Sequence, residues 1–304
     1  MQIIRRLWTK AVGELPEDWN ADRPEQKLGA AELWVLSLVC MYGIFIGEFY
    51  SITGNPLVVA SFRFVQHGCI PLCALGFVLC RQNRRVPILP FLGLVAATVP
   101  FVIRMGFEGK LQRRLGGEYF AEHSVYIAVP LLLSLGFALW ACGQNKLNTK
   151  EWGLSAGDWR WWLPRTGIAL AVLIPTLVLV LNFDSNLADY YPIWAEAKKS
   201  VGMLMLSNAS YGIDMLAWEC LFRGILLFGY ARRGDPHTAI WAQTVPFFFL
   251  HASKPDSELI GSLFGGLVCG WFCLRARSFW PLFILHWMQL TTVNSVSYAL
   301  RVMG

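Results

Sequence analysis

Residues 204–230 read LMLSNASYGIDMLAWECLFRGILLFGY, an apolar stretch that nevertheless carries Glu219 and Arg223. At ~1.5 Å rise per residue its ~27 residues exceed the ~30 Å hydrocarbon core of a bilayer, so the length fits a transmembrane helix. Glu219 and Arg223 lie four apart, on one helix face, where the guanidinium can hold the carboxylate ionised and oriented. Ionisable groups are costly at such depth, so the pair is either a structural ion pair facing a bundle or a mark of function.

Working outward, apolar runs of similar kind recur near 31–50, 58–80, 86–104, 123–142, 164–183, 238–252, 259–274 and 279–299. With 55% hydrophobic and 15% charged residues and a mean hydropathy of +0.45, the chain reads as all-α, a polytopic transmembrane helical bundle of about 8–9 spans. The longest polar pieces, 1–30, 105–122 and 184–200, are each too short to close a core of their own, which excludes a large soluble domain. Residues 1–30 form a cytoplasmic N-terminal segment without the apolar region of a cleavable signal, and 31–304 a single bundle whose first span is its own insertion signal.

Charge placement orients it. With a cytoplasmic N-terminus, the inside segments 1–30, 81–85, 143–165, 231–237 and 275–278 hold 16 of the 26 Lys and Arg. The expected location is integral, multi-pass, in the plasma (inner) membrane. The net charge of +6 then serves membrane orientation and anionic lipid, and no basic stripe points to nucleic acid.

The eight cysteines all lie in or at the ends of apolar runs and read as small packing residues. No internal repeat supports a repeat-built transporter. Residues 152–162, WGLSAGDWRWW, read as an aromatic belt with an interfacial turn. Gly261xxxGly265 and Gly266xxxGly270 read as small-residue faces that draw neighbouring helices together. Arg63 and His67, four apart in the second run, read as an intramembrane polar pair that either binds a substrate carboxylate or, the favoured reading, pairs structurally with Glu48.

The chemistry concentrates in the last third. His251 follows Phe247-Phe248-Phe249-Leu250, and His286 follows Trp280-Pro281-Leu282-Phe283-Ile284-Leu285. Either histidine alone is more often a hydrogen-bonded core group than a functional one. Counted from the inner ends of their spans, Glu219 lies ~16 Å deep, His251 ~20 Å and His286 ~10 Å, all in the middle half of the core. One carboxylate and two imidazoles at a common level can make a three-ligand site for a divalent metal, zinc foremost, with an open position for water. No HExxH motif is present.

Together these residues resemble the CPBP intramembrane proteases, which include the type II CAAX prenyl endopeptidase and bacteriocin-processing relatives. That family carries EExxxRG, FxxxH and HxxxN or HxxxD on three successive helices. Glu219xxxArg223-Gly224, Phe247xxxHis251 and His286 follow the same order and spacing, within a protease-like core at 204–300. Two positions depart from the pattern: Trp218 replaces the first glutamate, and Leu290 stands four residues after His286. Asn294, one turn further, is the natural substitute for the missing polar group, or else a helix-packing amide. Glu258 is the other spare carboxylate and reads as a helix N-terminal residue.

The resemblance implies an intramembrane endopeptidase that cleaves a membrane-associated peptide, or a protein's C-terminus or leader, by an activated water. It implies that His251 and His286 with Glu219 hold the metal and its water, or that Glu219 and His251 activate the water directly. Arg223 would fix Glu219, and Asn294 would stabilise the oxyanion. Its partners are that peptide substrate and the lipid bilayer. The competing reading is a non-catalytic membrane scaffold or an immunity or partner-binding protein, with Trp218 and Leu290 marking a decayed site.

Overall fold

The computed structural model describes residues 149–231, 236–249, 251 and 254–303. The runs at 31–50, 58–80, 86–104 and 123–142, with Arg63 and His67, lie outside these residues. Among the described residues every regular element is helical. Numbered from the first described helix, α1 spans Trp159–Phe183, α2 Ser185–Tyr190, α3 Val201–Glu219, α4 Pro236–Phe249, α5 Asp256–Ala276 and α6 Trp280–Met303. Short 3-10 turns occupy Thr149–Trp152 and Ala195–Lys198. α3 runs directly into a π-helical stretch, Cys220–Phe228, closed by a helical turn at Gly229–Ala231.

Local chemistry sets the boundaries. Asp184 ends α1 through its backbone N–H to Val180 O, and its carboxylate accepts from Leu187 N at 3.0 Å to cap α2. Ser200 caps α3 by accepting from Met203 N at 3.3 Å. Asp256 and Glu258 occupy the first turn of α5, where the helix dipole favours negative charge, and Arg277 ends it in the left-handed conformation at φ 54°.

α1 and α5 are the two described helices long and apolar enough to cross a membrane. α1 reaches ~37 Å, and most of it is not covered by protein: Ile168, Val172, Leu179 and Phe183 are all more than half exposed. An uncovered apolar face of that length suits lipid and not water.

The most extensive packing joins α4 to α5, α6 to α1 and α3, and the π-helical stretch to α4. Only one of the two expected glycine faces makes such a contact. A Cβ on Gly266 would come within 2.7 Å of Thr244 Cγ2 and one on Gly270 within 2.9 Å of Gln243 Nε2, whereas nothing lies within 4 Å of a Cβ at Gly261 or Gly265. The close approach is sealed by Gln243 Nε2, which donates to Gly266 O at 2.7 Å.

The tryptophan-rich run at 152–162 differs from the expected belt, because Trp152 and Trp162 are buried in protein. The run latches onto the tight turn between α5 and α6. Phe279 N donates to Gly153 O at 3.0 Å, Trp280 Nε1 to Leu154 O at 2.9 Å, Ser278 Oγ to Ser155 O at 2.7 Å and Asp158 N to Ala276 O at 2.8 Å. Gly157, at φ 56°, has no room for a Cβ against the Ala276 carbonyl. The turn carries unpaired backbone groups that lipid could not satisfy, and this strand of chain satisfies them.

Candidate active site

Glu219 is the last α-helical residue of α3, and the π-helical stretch begins one residue later. Such stretches are rare and recur at functional sites, because the wider turn re-aims side chains. Glu219 and Arg223 remain on one face, with Arg223 Nε 3.3 Å from Glu219 Oε2, and both side chains are almost fully buried. The expected pairing is therefore present. The other carboxylate oxygen, Oε1, accepts from His286 Nδ1 on α6 at 2.8 Å. Two of the three residues expected to converge thus touch directly.

Phe247 on α4 gathers the rest. Its ring lies 4.4 Å from the Arg223 guanidinium carbon, with ring centroids 4.6 Å from His251 and 5.9 Å from His286. Trp218 stacks on Phe222 at 5.0 Å and meets Phe247 edge-on at 6.4 Å. Its position is thus part of an aromatic wall around the charges. Arg223 Nε and Nη1 and Glu219 Oε2 make no hydrogen bond, so this buried pair keeps polar capacity that its neighbours leave unused.

His251 stands just beyond α4, in a turn where its N–H donates to Phe248 O at 2.9 Å. Its Nδ1 lies 2.7 Å from Phe247 O. A carbonyl can only accept, so Nδ1 carries the proton and Nε2 keeps its lone pair. Nε2 is 3.9 Å from Glu258 Oε1. Glu258 does sit in the first turn of α5, but its carboxylate reaches back to ion-pair with Lys254 and to accept from Tyr191 OH at 2.7 Å. Burial, then the neighbouring Glu258 charge, pushes the Tyr191 phenol well above its usual value. Burial alone would lower the Lys254 ammonium, but Glu258 outweighs it and raises the group. Both therefore remain donors at neutral pH.

Asn294 lies elsewhere, ~12 Å along α6 from His286. It is buried, and its Nδ2 donates to Asn208 Oδ1 at 2.9 Å, while Asn208 Nδ2 donates to Ser295 Oγ at 3.3 Å. Leu290, between them, packs on the apolar cluster of Leu181, Leu187, Tyr191 and Val293. Sequence reasoning did not single out Tyr191, Lys254 or Asn208. The only signal was a Tyr-Tyr-Pro in an otherwise polar connecting segment and an amide inside an apolar run.

As placed, these residues do not fit a metal. A carboxylate that accepts from an imidazole N–H orients that imidazole and is not itself a ligand beside it, which leaves two histidine nitrogens where catalytic zinc uses three protein ligands. Among the described residues no group of three or more His, Cys, Asp or Glu is arranged to hold a metal ion.

Residues 204–291 match the family model described as Rce1-like, type II CAAX prenyl endopeptidase Rce1-like. This segment resembles that family. The match spans all three motif helices, from α3 to the middle of α6, and α1 and α5 are the two described helices long and apolar enough to cross a membrane. Comparison with curated proteins and with solved structures gave no match.

Proposed function

We propose that the chain is an intramembrane endopeptidase that hydrolyses a membrane-associated peptide or protein at its C-terminus or leader. The observation that carries this reading is the buried Glu219, bound on one oxygen by His286 and facing Arg223 Nε at 3.3 Å with the other, Oε2, which accepts no hydrogen bond. A purely structural ion pair at such depth would be expected to close its hydrogen bonds, because each unsatisfied polar atom costs stability.

Glu219 Oε2 is the base that takes a proton from water, and Arg223 keeps the carboxylate ionised until it does. His251, with its Nε2 lone pair, holds the same water from the α4 side. As the tetrahedral centre forms on the scissile carbonyl, negative charge collects on its oxygen. Arg223 Nη1, whose N–H groups have no hydrogen-bond partner, is the group that can donate to it. Glu219 then returns its proton to the leaving amine. Phe247 and Trp218 exclude bulk water, which strengthens each of these charge contacts. In this reading the whole chain has about 8–9 spans, with a cytoplasmic N-terminus in the plasma (inner) membrane, and the bilayer presents the substrate laterally.

The test is cleavage of membrane-anchored peptides by the purified protein in liposomes. Wild type is expected to cut, with chelator making no difference, and Glu219→Gln to be inactive while still inserted. Active Glu219→Gln protein would remove the catalytic role. A stoichiometric metal that disappears in His251→Ala would replace the metal-free route with the zinc site. The scaffold alternative draws on one observation, the direct Glu219–His286 contact, which also suits a purely structural triad. It predicts that no peptide is cut and that Glu219→Gln chiefly loses stability.

A further inference from the structure

The geometry points to Glu258 as a positioning residue for His251, held in place for that task by Tyr191 and Lys254. This rests on His251 acting in hydrolysis as proposed above. His251 lies past the end of α4, so the helix backbone does not fix its ring. One tether is visible on the Nδ1 side, the Phe247 carbonyl at 2.7 Å. On the Nε2 side the neighbouring charged group is Glu258 Oε1, at 3.9 Å.

Helix capping does not account for how Glu258 is held. Asp256, exposed two residues earlier in the same turn, already supplies negative charge at the start of α5. Glu258 is instead mostly buried, and its contacts come from separate parts of the chain. Tyr191, in the segment between α2 and α3, donates to Oε2 at 2.7 Å, and Lys254, in the loop before α5, pairs with Oε1. Tyr191 is itself fixed by packing against Val293 and Leu181. Ser257, next to Glu258, donates to Asp184 Oδ2 at 2.7 Å, which ties the same turn to the end of α1. The effect is a brace running from α1 and α6 through Tyr191 to the edge of the His251 ring. A carboxylate fixed this way occupies the space beside Nε2, at contact distance and without a hydrogen bond to it, and so limits how far the imidazole can swing; a misplacement of ~1 Å costs on the order of 10²-fold in rate.

The experiment compares Glu258→Ala, Glu258→Asp, Tyr191→Phe and His251→Ala, singly and with Glu258→Ala combined with His251→Ala. Glu258→Ala is expected to lower kcat on the order of 10²-fold with KM near wild type. Tyr191→Phe should fall in the same direction by less, and Glu258→Asp should recover part of the loss. In the His251→Ala background, Glu258→Ala should cost nothing further, because the residue it positions is gone. Losses that multiply, or an unchanged kcat, overturn the assignment, and Tyr191→Phe decides if Glu258→Ala does not fold. An inactive Glu219→Gln beside a fully active Glu258→Ala sinks only this inference. If wild type cuts no peptide, carbethoxylation of His251 read by peptide mass still decides. A faster reaction in Glu258→Ala supports the brace, and an unchanged one ends it.

Discussion

Two polar layers join α3 to α6, and they are built differently. In one, neutral groups meet: Asn294 donates to Asn208 at 2.9 Å, Asn208 to Ser295, and Trp287 Nε1 donates to Asn208 O at 2.8 Å. The backbones approach so closely there that a Cβ on Gly212 would lie 2.7 Å from the Trp287 ring. In the other, Glu219, Arg223 and His286 bring ionisable groups together, and Oε2, Nε and Nη1 are left without hydrogen bonds. Amides glue helices at little risk, since a neutral group left half-paired costs about 1–3 kcal/mol. Charges in apolar surroundings are dangerous unless they are used. Neutral amides paired across the helices mark architecture here, although Asn294 Oδ1 also lacks a partner, and charge left without hydrogen bonds marks chemistry.

The sharpest way to break that contrast is turnover. Glu219→Gln should lower hydrolysis on the order of 10³-fold, within the range for a general base, whereas Asn294→Leu should leave turnover close to wild type. A loss on the order of 10²-fold in Asn294→Leu would return it to the oxyanion role expected from the sequence and would merge the two layers into one site. Stability comes next. Arg223→Met leaves the Glu219 carboxylate buried without its cation and should cost about 3–5 kcal/mol, read as a lower unfolding midpoint in detergent. If the midpoint hardly moves, the pair is already solvated and the charged layer is not buried as described.

Helix packing gives a smaller effect on the same axis. Gly266→Ala forces a methyl against Thr244 and should cost about 1–3 kcal/mol, while Gly261→Ala meets nothing and should be neutral to within about 0.5 kcal/mol. Equal effects at the two glycines would mean that α4 and α5 pack on a different face. The smallest change belongs to the amide layer: Asn294→Leu should lower stability by about 1 kcal/mol, since hydrogen bonds between membrane helices are individually modest.

Much of the fold was legible in the chain because apolar length is a direct consequence of bilayer thickness. The runs expected at 164–183, 204–230, 259–274 and 279–299 each coincide with described helices to within a few residues. The pairing of Glu219 with Arg223 was legible for a similar reason, since four residues is one turn. Other features depended on contacts between distant segments. His251 was expected inside a span but stands beyond the end of α4, because length alone does not say where a helix stops.

The sequence by itself determined that the described part of this chain is helical, that its last third carries buried charge, and that Glu219, Arg223, His251 and His286 are the residues to test. Tertiary structure alone decided which of them touch. It set His286 on Glu219, moved Asn294 into a separate layer with Asn208, buried Trp152 and Trp162 against the α5–α6 turn, and brought Tyr191 to Glu258 across 67 residues of chain. The physical reason is that depth and face follow from rise and rotation along one helix. Contact between helices depends on how side chains of two surfaces interlock, which no single run of sequence records.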